Sequence, residues 1–317
     1  METTEKKFKK ILVTGGAGYV GSVLTDELLK RGYQVRVLDS LRFGWQSLLP
    51  FLPDKNYEFI RGDVRDAAVV AQAVEGVDAV VHLAAIVGFP ACRKEPEVSR
   101  EINVNGTETL VNAVHGRVPI LFASTGSTYG KMIEDLCTET TPLNPLSHYG
   151  KQKAEAEEVI RKNGEFVIYR FATAFGVSTR MRLDLLPNDF SYRAVKDKSL
   201  IVYEKNFMRT FVHVRDMARS FIFALEHYDA VRGEVFNVGD NNMNYSKEAI
   251  CQLIQKHVEY YLHFADVGHD ADQRDYVVSY DKLNQAGFRT SVTMEDGIAE
   301  LVKAAHVIEI QNPHYNA

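Results

Sequence analysis

A glycine-rich turn set between a strand and a helix is the feature of this sequence that leaves the fewest folds open. Thr14-Gly15-Gly16-Ala17-Gly18-Tyr19-Val20-Gly21 follows the apolar run Ile11 to Val13 and opens an amphipathic stretch, Val20 to Arg31. Glycines at 15, 18 and 21 permit a tight turn and let backbone approach a pyrophosphate, while a helix N-terminus offers unbonded N–H groups and partial positive charge. Asp39 ends the next β-branched run, 18 residues beyond Gly21. That is near the spacing at which a carboxylate accepts hydrogen bonds from an adenosine ribose diol. A 2′-phosphate would meet a like charge there, so the pattern favours NAD over NADP, with Arg42 offsetting part of the repulsion.

The alternation continues through the first half. Gln34–Leu38, Tyr57–Ile60, Ala79–His82, Pro119–Ala123 and Glu165–Tyr169 are short aliphatic or aromatic runs. Ala67–Val74, Ile102–Val114 and Tyr149–Asn163 carry apolar residues at three- and four-residue steps. This pattern predicts an α/β fold: a Rossmann-like doubly wound parallel sheet, its strands buried on both faces. After about residue 175 the rhythm breaks, then gives a strand at Thr210–Val214, a helix at Asp216–His227 and a strand at Glu234–Val238, with a mostly helical tail from Ser246. The expected division is a dinucleotide-binding domain over 1–175, to which the chain returns around 208–242. A smaller C-terminal mixed α/β domain, from 176–207 and 243–317, would bind substrate.

Composition narrows the function. With 37 basic against 42 acidic residues in 317, a net charge of −5, the chain has no general field for nucleic-acid or membrane phosphates. An anionic ligand must be held by local arginines. The longest apolar stretch, Ala79 to Phe89, is interrupted by His82 and is too short to span a bilayer. Cys92, Cys137 and Cys251 are odd in number and without CxxC spacing, and the charged Met1–Lys10 leads into only a short apolar run, so a reducing cytoplasm is expected. His263, Asp266, His269, Asp270 and Asp272 cluster, but at no metal-ligand spacing, and no metal is expected.

Tyr149-Gly150-Lys151-Gln152-Lys153 places a phenol and an ammonium on one face at the start of a helix. A cation within about 4–6 Å can lower an acid's pKa by roughly 1–3 units, which brings a phenol toward the range where a general base works. The motif alone is common on exposed helices. Its company is Leu121 to Gly130, a buried strand ending in the hydroxyl-rich Ser124-Thr125-Gly126-Ser127-Thr128. Strand C-terminal ends are where α/β sheets bind ligands.

With these residues in view, the chain resembles the extended short-chain dehydrogenase/reductases, in their nucleotide-sugar epimerase/dehydratase branch. The likeness covers nearly the whole length: the glycine turn, Asp39, Gly62-Asp63-Val64-Arg65, His82 to Ala85, Asn103 to Thr107, Ser124-Thr125, Tyr129-Gly130, Tyr149 to Lys153, Arg170 to Gly176, Arg209 to Asp216 and Phe236 to Gly239. It implies that Tyr149 is the base, that Lys153 lowers its pKa and holds the nicotinamide ribose, and that Thr125 bonds the reacting hydroxyl. It implies an NAD site of Gly15, Gly18, Tyr19, Val20, Gly21, Asp39, Asp63, Val64, Leu83, Ala84, Ala85, Asn103, Ser124, Tyr149, Lys153 and Phe171. The substrate, a nucleoside-diphosphate sugar, would meet Thr125, Tyr149, Thr173, Arg180, Arg182, Asn188, Tyr203, Arg209 and Arg274, the last two arginines on its diphosphate. A homodimer through the 102–114 and 149–163 helices is also implied.

Two departures refine this. Relatives that dehydrate or decarboxylate carry Glu two residues after the catalytic Thr or Ser, often preceded by Asp; here Gly126 and Ser127 stand there, which disfavours elimination. What remains is oxidation at C4, as a 4-epimerase or a 4-dehydrogenase. Thr173 replaces the Asn common in sugar epimerases, and Arg180 to Phe190 resembles capsule and polysaccharide enzymes, some acting on GDP-heptoses. The alternatives are a reductase of a small carbonyl compound without a nucleotide, or a dinucleotide sensor without chemistry. Retention of Thr125, Tyr149 and Lys153 argues against the sensor.

Overall fold

The computed structural model describes residues 6–130, 136–265 and 277–309. Its strands are β1 (Lys10–Thr14), β2 (Gln34–Asp39), β3 (Tyr57–Arg61), β4 (Ala79–His82), β5 (Ile120–Thr125), β6 (Phe166–Phe171), β7 (Thr173–Phe175), β8 (Ser199–Tyr203), β9 (Met208–His213), β10 (Glu234–Val238), β11 (Asn244–Ser246) and β12 (Tyr261–Ala265). Seven of them form one sheet in the order β10-β6-β5-β4-β1-β2-β3, every pairing parallel. The order reverses between β1 and β4, so the loops leaving those strands diverge and open a crevice at their carboxyl ends.

Alternate side chains of each strand feed two cores. Ile11 and Val13 of β1 pack with α1 (Tyr19–Lys30), and Val167 of β6 belongs to the same core. Leu12, Val80 and Ile168 face the other way, onto α2 (Ala67–Val74), α3 (Gly106–Val114) and α4 (His148–Arg161). A third core lies among α5 (Leu186–Lys196), β8, β9 and two later helices, and includes Phe175, Leu200, Phe211, Ile254 and Ile298. Helix α6 (Val214–Glu226) covers the α1 face, with Phe221 and Leu225 buried. The later helices are α7 (Lys247–Gln255) and α8 (Met294–Val307). The doubly wound sheet is therefore as expected from the sequence.

Three details add to the expectation. Within 208–242 only β10 joins the main sheet, beside β6; β9 sits between β7 and β11 in a separate three-stranded sheet. The tail after Ser246 contains β12 as well as helices, because Tyr261–Ala265 pairs in parallel with β8. The 102–114 helix begins with a π turn at Glu101–Asn105, which rotates Asn103 into the interior. All three cysteines are buried. Among the described residues no helix is long and apolar enough to cross a membrane.

Candidate active site

The crevice at the switch point is a cavity of about 690 Å³ that runs from the glycine turn to β9. Its floor is the start of α1, whose N-cap, Gly18, contributes no side-chain hydrogen bond, so the first-turn N–H groups of the helix are left to a ligand. The glycines make this turn as tight as it is. A Cβ on Gly21 would lie 2.2 Å from the Gly15 carbonyl oxygen, and one on Gly15, at φ +74°, would lie 2.7 Å from the Ala84 nitrogen. Asp39 closes the turn: its carboxylate accepts from the Ala17 N–H at 3.0 Å and the Leu41 N–H at 2.8 Å. Burial raises its pKa, partly offset by those two hydrogen bonds.

Gly15, Gly18, Tyr19, Val20, Gly21, Asp39, Asp63, Val64, Leu83, Ala84, Ala85, Ser124 and Phe171 all line the cavity. An uncapped helix end for a diphosphate, a carboxylate at the end of β2 and apolar walls fit a dinucleotide. Asp63 is paired with Arg65 at 2.8 Å, which holds its carboxyl below the usual range. Asn103 is not on the wall. Its amide oxygen accepts from the Ile86 N–H at 2.8 Å, and its amide nitrogen donates to Ile86 O and Gln152 Oε1, so it shapes the loop after β4 from behind.

Thr125, Tyr149 and Lys153 converge on the same cavity. Ser147 caps α4 by accepting from the Gly150 N–H at 3.0 Å, which fixes the first turn that carries Tyr149. Gly150 packs so closely that a Cβ would lie 2.7 Å from Ser127 O, and this brings the phenol's turn against the end of β5. Thr125 donates to Ser127 Oγ at 3.2 Å. Lys153 donates to Ala123 O at 2.8 Å and sits 4.5 Å over the Phe122 ring. Burial lowers its ammonium pKa to about 8, with Cys92 and Glu157 opposing the shift.

The Lys153 ammonium is complete well below pH 8 and lost as pH rises through about 8, so in the role the sequence implies for it, support of a Tyr149 phenolate, it would act only below that value. Turnover, measured as kcat/KM against pH, is expected to fall above about pH 8. Lys153→Arg should move that fall upward by more than about one pH unit, since an arginine keeps its charge. A profile unchanged by the substitution would refute this role.

At the far end, Thr173, Tyr203 and Arg209 line the cavity, as do Arg180 and Arg182. Arg180 is placed differently from the substrate role implied by the sequence: its guanidinium lies 4.8 Å over the Phe43 ring and its charge acts on Asp39, at the cofactor end. Asn188 is likewise off the wall, because its amide is consumed by the Gly176 N–H, the Arg182 carbonyl and the Tyr19 hydroxyl. Arg182 is no solvated loop charge but is paired with Asp184 inside the cavity at 2.5 Å. Arg274, and the Asp266–Asp272 part of the acidic cluster, lie outside the described residues.

Sequence reading missed a buried network behind the site. Glu157 and Arg170, 0% and 3% exposed in their side chains, pair at 2.7 Å. Ser124 donates its hydroxyl to Glu157, and Arg170 also donates to the Tyr129 hydroxyl, which bonds Asn237. One signal was available: Glu157 follows Lys153 by one helical turn, on the same face as Tyr149. Lys247, on the wall at the start of α7, also went unnoticed; it donates to Tyr203 O at 3.0 Å.

A glycine turn at the switch point of a doubly wound sheet, with Thr125, Tyr149 and Lys153 above it, defines a dinucleotide-dependent enzyme of hydride chemistry. Residues 11–239 match the NAD dependent epimerase/dehydratase family, and the chain belongs to it, within the extended short-chain dehydrogenase/reductases. A UDP-glucose 4-epimerase of Lactobacillus helveticus is 30% identical over 272 residues, 78% of this chain and 81% of the relative. The solved UDP-glucuronic acid 4-epimerase of Bacillus cereus, in complex with UDP-glucuronic acid and NAD, superposes with a TM-score of 0.84 at 25% identity, over 94% of this chain and 99% of that one. The dTDP-glucose 4,6-dehydratase DesIV of Streptomyces venezuelae, with NAD bound, gives 0.81 at 28% identity, over 93% and 96%.

Proposed function

We propose that this protein oxidises C4 of a nucleoside-diphosphate sugar in polysaccharide precursor synthesis, as a 4-epimerase or as a 4-dehydrogenase that releases the ketosugar. The observation that carries this reading is the convergence of Thr125, Tyr149 and Lys153 on a cavity whose following turn, Gly126-Ser127, offers no carboxylate. A dehydratase needs an acid and a base beyond the phenol to move the C5 proton and expel water. Ser127 cannot serve, since its side chain accepts from Thr125 and is buried.

NAD, when bound, supplies the hydride acceptor. The Tyr149 phenolate takes the C4 hydroxyl proton, the Lys153 ammonium stabilises that phenolate, and the Thr125 hydroxyl holds the reacting oxygen. The α1 N-terminus and Asp39 hold the cofactor's diphosphate and ribose. Arg209, 9% exposed on β9, meets the substrate diphosphate, with Arg274 as its partner, and Tyr203 packs the nucleobase. The likeness of residues 180–190 to capsule enzymes puts GDP-heptoses among the first substrates to try, and a homodimer through α3 and α4 is part of the same proposal.

The test is a panel of UDP-, GDP-, CDP- and dTDP-sugars scored by protection against thermal unfolding, then by NMR of the product. A C4 epimer, or a 4-ketosugar with stoichiometric NADH, supports the proposal. A 4-keto-6-deoxy product, or protection by none of the nucleotides, overturns it.

A further inference from the structure

Between Tyr149 and the loop after β4, the cavity wall holds a charge pair that the catalytic set does not use. Arg182 donates from Nη2 to Asp184 Oδ2 at 2.5 Å and from Nε to Oδ1 at 3.1 Å, a two-pronged contact. The two side chains are only 13% and 15% exposed. Arg182 Nη2 lies 3.7 Å from the point a Cβ on Gly88 would occupy, and the Tyr149 phenol is within its electrostatic reach. The loop that carries the pair is fixed: Asn188 donates to the Arg182 carbonyl at 2.8 Å and accepts from the Gly176 N–H, while the Ser178 hydroxyl donates to Tyr19 O.

A guanidinium aimed at a sugar without a counter-ion is a carboxylate receptor, because its planar fork matches two carboxylate oxygens. Here Asp184 already fills the Nε–Nη2 edge of that fork. The pair carries no net charge, which suits hydroxyl groups better than a second anion. A second carboxylate brought to this place would face Asp184 at close range and find that edge of Arg182 taken. The fold itself does not exclude a uronate, since the Bacillus cereus UDP-glucuronic acid 4-epimerase superposes with a TM-score of 0.84. Discrimination must therefore come from side chains.

We infer that Asp184 is a specificity residue that neutralises Arg182 and makes the glycosyl end of the cavity select an uncharged sugar over a glycuronosyl group. The inference rests on the nucleotide-sugar reading above and narrows its substrate class.

The test uses two matched pairs, UDP-glucose with UDP-glucuronate and GDP-mannose with GDP-mannuronate, bound calorimetrically to the NAD-loaded wild type, Asp184→Asn and Asp184→Glu. In the pair whose nucleotide the protein accepts, wild type is expected to favour the neutral sugar by about tenfold or more. Asp184→Asn should shift that ratio toward the uronate by about tenfold, Asp184→Glu should keep it, and free UDP or GDP should bind all three proteins alike. Equal wild-type binding of the two members, or an unchanged ratio in Asp184→Asn, overturns the inference while leaving the nucleotide-sugar reading intact. Failure of every sugar and of free UDP, GDP, CDP and dTDP to bind wild type overturns both.

Discussion

Phenylalanine at position 149 is expected to cut turnover about a thousandfold while NAD and nucleoside-diphosphate binding stay within about twofold of wild type. The helical turn that carries the ring is set by the Ser147 cap and by the contact of Gly150 with Ser127 O, both made by neighbouring residues, so removal of one oxygen leaves that turn in place. Neither Thr125 nor Lys153 can take over the proton. The Thr125 hydroxyl donates to Ser127, and an alcohol is no base at neutral pH. Lys153 keeps its proton below about pH 8 and donates to Ala123 O, which leaves it no lone pair to offer. Stopped-flow measurement of hydride transfer, with calorimetry of cofactor and nucleotide binding, separates the two effects. A variant that kept more than about a tenth of wild-type turnover would remove Tyr149 from the role of base.

The parts of this molecule that the sequence made legible are those governed by local periodicity. The strands β1 to β6 alternate with helices at regular steps, and their continuous apolar character follows from burial on both faces, so the doubly wound sheet could be read directly. The glycine turn and the Tyr149/Lys153 pair were legible for the same reason, because each is a spacing on one element. What the sequence could not show is where polar side chains turn once elements from distant parts of the chain meet. Asn103 and Asn188 are spent on backbone groups of Ile86, Gly176 and Arg182 behind the wall. Arg180 is drawn to Phe43, more than a hundred residues earlier in the chain. The strand expected at Thr210–Val214 is present as β9, but which sheet it joins, and the short strand β12 in the mostly helical tail, were not legible, since a strand of five or six residues joins whichever sheet edge the tertiary packing presents to it.

The largest loss of stability is expected from Arg170→Met, about 3–5 kcal/mol by urea denaturation. Arg170 on β6 reaches Glu157 on α4 through three hydrogen bonds of 2.7 to 3.2 Å, and Ser124 on β5 completes the carboxylate's shell. Remove the guanidinium and Glu157, fully buried, retains a charge answered by one hydroxyl and by the more distant Lys153 ammonium; Tyr129 and the Glu139 carbonyl lose a donor as well. The cost comes from the stranded carboxylate rather than from the worth of the pair, because bringing both charges out of water already offsets much of their attraction. The double variant Arg170→Met with Glu157→Gln should therefore recover more than about half the loss, a non-additivity that a simple packing defect would not produce. Additive losses, or a single-variant cost under about 1 kcal/mol, would show that the pair is not the element holding α4 against β5 and β6. If it is that element, the pair also keeps Tyr149 and Lys153 in register with Thr125, and the single variant should lose kcat more than substrate affinity even at temperatures where it remains folded.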